Sequence, residues 1–139
     1  MELFSQIPGA RVRRDYLLAC VRHGTRHIES GIRHVNIVLV DDDEMARLHR
    51  RYTGVGGTTD VLTFDLTDGR KSPVEGDIFI CLDQARRQAR ELRLPIYQEV
   101  ARLAVHGVLH LAGYRDRTET ERQRMRRLEE RSLAAGRHA

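Results

Sequence analysis

Apolar positions recur along this chain in two rhythms, one helical and one strand-like, and the two take turns. From Arg13 to about Glu29, Tyr16, Leu17, Cys20, Val21 and His27 fall at helical spacing, which predicts an amino-terminal helix. His34 to Val40 reads HVNIVLV, β-branched and nearly continuous in apolar character, as expected of a strand buried on both faces. Asp41, Asp42 and Asp43 follow at once. Lying between that strand and Met45 and Leu48, they read as an N-cap and dipole-compatible acids for a helix running to about Tyr52, rather than as a metal site. VLTFDL from Val61 predicts a strand, the polar LTDGRKSPVEG stretch a hairpin connection, and DIFICL from Asp77 the returning strand. Asp83 to about Leu92 predicts a helix, and Pro95 suits the first turn of the next one. Thr118 and Glu121 form a capping-box pattern that opens a final amphipathic helix with Met125 and Leu128 inward. Strands interleaved with helices around one sheet give an α/β or α+β class.

Length changes that picture little. The 139 residues fit one domain spanning 1–139, with no internal repeat or linker to divide it. No apolar run approaches membrane-spanning length, and MELFSQIPGARVRRDY lacks a signal-peptide pattern, so a cytoplasmic protein with no membrane partner is expected. Cys20 and Cys81 lie far apart in apolar surroundings and read as small buried residues, not as a disulfide or zinc knuckle. The glycine-rich TGVGGTT, Thr53 to Thr59, lacks the spacing of a nucleotide-binding loop and is not read as a phosphate cradle.

Charge adds a partner class. The formal charge is +4, and Lys71 is the only lysine among the 24 basic residues. Arginine forks match phosphate oxygens bidentately, which favours a nucleic-acid partner, although a GC-rich genome would enrich arginine as well.

The segment that carries chemistry is HGVLHLAGYRD. His106 and His110, four apart, lie one above the other on a single helical face and can grip one divalent ion with little rearrangement. Gly113 offers a helix stop through the left-handed conformation, so the chain can double back and bring Asp116 to the same ion. Three protein ligands leave a coordination position for water, the mark of a catalytic rather than a structural metal. A His pair on a helix can also be a hydrogen-bonded, half-buried pair. Val105, Val108, Leu109 and Leu111 make this helix apolar, however, and two unpaired imidazoles would be costly to bury there.

HGVLHLAGY, preceded by TTDVLTF and EGDIFIC, resembles the YbeY family of metal-dependent endoribonucleases, whose members carry H-G-x-L-H-L-x-G-Y-D-H with T-[DN]-V-L-S-F-P and G-D-I strands upstream. The resemblance covers about residues 34 to 130. It implies a mixed, about four-stranded sheet packed against several helices, and zinc held by His106, His110 and the residue at 116. It also implies single-strand-specific cleavage of ribosomal RNA in processing and ribosome maturation, with small-subunit ribosomal components as partners. The family's final D-H reads Arg115-Asp116 here, so a carboxylate replaces the third imidazole and widens the range of acceptable divalent metals. Its Y-R-G-K reads Tyr52-Thr53-Gly54-Val55, and its strand-ending proline is Asp65. Arg50, Arg51 and Arg115 are the nearby cations that could replace the missing pair, and Arg50 is placed in the catalytic set with the three ligands. Arg50, Arg51, Arg86, Arg87 and Arg90 are candidates for the RNA backbone.

Two rival readings remain. A zinc metalloprotease shares the H-x-x-x-H-x-x-G-x-x-[HD] spacing but needs a glutamate general base after the first histidine, where this chain has Gly107. A ribosome-associated RNA-binding assembly factor needs only phosphate contacts, and the neutral Thr53 and Val55 favour weak or lost catalysis.

Overall fold

The protein, seen in a computed structural model that describes residues 1–7, 12–69 and 71–137, places four strands and five helices in chain order. They are β1 (Glu2–Ser5), α1 (Arg14–Thr25), β2 (Ile32–Val40), α2 (Asp42–Thr53), β3 (Val61–Asp65), β4 (Val74–Cys81), α3 (Leu82–Leu92), α4 (Ile96–Leu111) and α5 (Glu119–Gly136). The strands form one mixed sheet in the order β1-β2-β4-β3, with β1 and β4 parallel to β2 and β3 antiparallel to β4. The class is α+β, as both the patterning and the resemblance imply.

Local chemistry explains several of these boundaries. The Asp41 carboxylate accepts from the Glu44 amide at 2.9 Å and starts α2, and Gly54 ends that helix in the left-handed region. Thr118 and Glu121 make the reciprocal capping box at the start of α5. Pro95 sits one position earlier than expected, as the N-cap of α4, where its fixed φ leads into the first turn.

The core forms where α4 lies on the sheet. Ile37 of β2 pairs with Ile78 of β4, and Leu39 with Ile80, so four fully buried branched side chains present one apolar row. A Cβ at Gly107 would come within 2.8 Å of an Ile78 methyl, so glycine is what lets the helix settle onto the strand. α1 and α5 pack against α4 and each other, and Leu17, Cys20 and Val21 of α1 join the same buried core.

β2 departs from the expectation of burial on both faces. Val35, Ile37 and Leu39 are buried, while the alternating His34, Asn36 and Val38 are only half-buried. The opposite face carries a polar row, in which Asn36 donates to the Asp77 carboxylate at 3.0 Å and bonds the His34 ring at 2.8 Å. Met45 of α2 covers only the end of that face, beside Val40 and Cys81. β1 was not signalled by the pattern. Cys20 and Cys81 are buried and free. No described helix is long and apolar enough to cross a membrane.

Candidate metal centre

The centre begins with how α4 ends. The Gly113 amide bonds back to the His110 carbonyl and the Tyr114 amide to that of Leu109, each at 3.0 Å, the paired bonds of a Schellman turn. Gly113 takes φ 100°, which a side chain would resist. The turn reverses the chain, and Asp116 returns to the helix face carrying the two histidines.

The donors converge as the spacing requires. His110 Nε2 lies 3.0 Å from His106 Nε2 and 3.2 Å from Asp116 Oδ2, and His106 Nε2 lies 3.6 Å from Asp116 Oδ2. Four ligands arranged tetrahedrally at zinc-like bond lengths are separated by about 3.4 Å, a value within this triangle's range. The three groups therefore fit a divalent ion, and they are the cluster of potential metal ligands found among the described residues. Side-chain exposure rises from 20% at His106 through 29% at His110 to 41% at Asp116, so the site opens to solvent on the carboxylate side.

Behind the imidazoles lies a group that the sequence reading missed. His106 Nδ1 is 2.7 Å from the Glu129 carboxylate on α5, and Glu129 is almost fully buried. Arg102 donates to Glu129 at 3.1 Å and to both oxygens of the buried Glu99 at 2.6 and 2.7 Å. Those carboxylates raise the already high pKa of Arg102, the hydrogen bonds it donates to Glu99 contributing most. A signal existed in the chain. Glu99, Arg102, His106 and His110 follow one another at spacings of three, four and four, a polar seam along an otherwise apolar helix.

A cavity of about 390 Å³ adjoins the donors, lined by His110, Gly113, Tyr114, Arg115, Asp116 and Arg117. The next hollow is lined in part by Arg115 and Arg124, the latter stacked 4.9 Å over the Tyr114 ring. Of the other arginines singled out from the sequence, Arg87 is held by Asp42 at 2.7 and 2.9 Å and Arg86 lies 3.6 Å from Asp83. Arg51 lies over the Tyr52 ring, and Arg50 is exposed on α2 near Gly56. No ion pair among the described residues joins Arg50 to the three donors. Concavity alone does not find the centre, since a larger hollow of about 740 Å³ between Arg13, Tyr16, Tyr97 and Arg137 contains none of the donors.

Comparison with known proteins decides the kinship. The sequence model of the family described as Endoribonuclease YbeY matches residues 12–136. This chain belongs to that family. The Endoribonuclease YbeY of Pelotomaculum thermopropionicum is 46% identical over 105 residues, covering 71% of this chain and 69% of that protein. That of Desulforamulus reducens is 44% identical over 103 residues, covering 69% and 67%. A Thermotoga maritima protein known from a solution structure superposes with a TM-score of 0.70 at 26% identity, over 98% of this chain and 89% of its own. Membership in the YbeY family bears out the resemblance drawn from the three motifs. The position after His106 adds an argument against the protease rival, because residue 107 faces Ile78 with no room for a general base.

Proposed function

We propose that this protein is a metal-dependent, single-strand-specific endoribonuclease, with His106, His110 and Asp116 holding a zinc ion. Its place is in ribosomal RNA processing and ribosome maturation in the cytoplasm, in contact with small-subunit ribosomal components. The observation that carries the reading is the triangle of donors, 3.0 to 3.6 Å on its edges, in a chain of the YbeY family.

Such an ion supplies Lewis acidity and a water acidic enough to act near neutral pH. The protein's own residues do the rest. Arg115 and Arg117 stand at the mouth beside Asp116, and Arg124 lies over Tyr114 close by. These guanidiniums can neutralise charge on a phosphodiester entering from the open side, and Arg115 is better placed than Arg50 to replace the family's missing cation. The Asp116 carboxylate lowers the net positive charge of the centre relative to three imidazoles and adds a harder oxygen donor.

The second reading, an assembly factor that binds RNA without turnover, is favoured by one observation. Thr53 turns its hydroxyl back to the His49 carbonyl, and Val55 lies exposed, so neither provides a cation. Metal analysis of the purified protein, paired with an assay on an RNA containing both hairpin and unpaired segments, separates the readings. The enzyme should carry zinc and cut the unpaired segments, with cutting lost to a chelator and restored by zinc. Zinc with RNA binding but no cutting would support the assembly factor, and peptide cleavage would revive the protease.

A further inference from the structure

Buried ionic groups must be paired or they destabilise the fold, and the pairing around Glu99, Arg102 and Glu129 is lopsided. Two carboxylates, 1% and 3% exposed, surround one guanidinium. Glu99 is satisfied, accepting twice from Arg102 on its own helix and once from Gln88 Nε2 on α3 at 2.5 Å. Glu129 has one oxygen on Arg102, and its other oxygen meets His106 Nδ1 at 2.7 Å. A carboxylate can only accept there, so the imidazole donates, and its proton sits on Nδ1.

We propose that Glu129 is a positioning residue for His106. By accepting the hydrogen bond from Nδ1–H, it keeps the proton on that nitrogen and leaves the Nε2 lone pair facing His110 and Asp116. It also fixes the ring plane, while Arg102, clamped by Glu99, holds the carboxylate against α4. The assignment rests on the metal reading for its purpose, and on geometry alone for its mechanism. It gives the polar seam along α4 a single function: the pair at the amino-terminal end anchors the carboxylate that orients the imidazole at the other. Metal-ligating histidines are generally held this way, and removal of the outer partner typically weakens metal binding by about 10- to 100-fold.

Glu129→Gln tests this sharply. The side chain keeps its size, and its amide oxygen can still accept from Arg102, which also retains both bonds to Glu99. Its NH2 group, however, would face Nδ1 and donate to it, sending the imidazole proton to Nε2. Nitrogen-15 NMR of the histidine rings in the metal-free protein should show His106 protonated on Nδ1 in the natural sequence and on Nε2 in the variant. Zinc affinity, measured against a competing chelator, should fall by about 10- to 100-fold. An Nε2-protonated His106 in the natural protein overturns the assignment whether or not the variant folds. So does unchanged zinc affinity in Glu129→Gln. A natural protein that shows the Nδ1 form and loses it in the variant, yet takes up no zinc, would sink the metal reading and leave the positioning of the ring standing.

Discussion

At the scale of residues, the centre joins groups of unequal legibility. His106, His110 and Asp116 could be read because helix spacing and a single glycine fix their approach, all within eleven residues. Glu129 could not be paired with His106 by spacing, since the contact depends on α5 packing across α4, 23 residues on. The donor set predicts that Asp116→Ala lowers metal affinity by at least about tenfold while leaving the fold intact, because the side chain is partly exposed and lies outside the core. Equilibrium titration against a chelator, with a thermal melt as control, checks this. Full metal occupancy in Asp116→Ala would leave only a two-histidine site. A different chemistry is expected at Cys81. Burial, reinforced by the neighbouring Asp42 carboxylate, pushes its thiol up to about 11. Burial likewise raises Cys20. Neither thiol should react with iodoacetamide at pH 8 in the folded protein, and both should react on unfolding, as mass spectrometry would count.

At the scale of elements, long segments with strong periodicity were predictable and a short one was not. α2 and α5 announce themselves by caps, and β2 and β4 by branched residues. β1 offers four residues with Leu3 and Phe4 adjacent, too few to alternate, and its order comes from pairing beside β2. The half-open face of β2 was missed because HVNIVLV is apolar almost throughout, so its composition did not say which side the helices would take. α2 and α3 are tied by an interaction whose pH dependence can be predicted. The Arg87 hydrogen bonds come first in holding the Asp42 carboxyl below its ordinary value of 3.8, with Cys81 adding to them. A carboxyl with a lowered folded pKa stabilises the fold above its unfolded value, and that contribution is lost as pH falls through the folded value. Both partners are nearly half exposed, so screening by solvent keeps the effect small. Urea unfolding of Arg87→Ala should therefore show a small deficit against the natural protein at pH 6 that shrinks as pH is lowered past 3.8. A deficit unchanged into strong acid would assign the loss to packing of the arginine stem instead.

At the scale of the whole molecule, net charge pointed to a polyanionic partner but not to the surface that meets it. The arginines chosen from sequence cluster on α2 and α3, and the structure occupies Arg87 with Asp42 and brings Arg86 near Asp83. The cations at the mouth of the centre are Arg115, which the sequence offered as a replacement cation, and Arg117, with Arg124 nearby; the last two were hidden because a turn and a separate helix had to fold before they became neighbours of Arg115. If a single-stranded RNA runs over this mouth, each phosphate neutralised there releases counterions, giving about 0.7 in the slope of log affinity against log salt. Replacing Arg115, Arg117 and Arg124 together by glutamine should then weaken binding and reduce that slope by about 2. Replacing Arg50, Arg51 and Arg90 should change it less. Fluorescence anisotropy with a short unpaired RNA across a salt series measures both sets, and metal content confirms that the centre is intact. A slope that falls with the α2 and α3 set and not with the mouth set would move the RNA path from the mouth to the surface of those two helices.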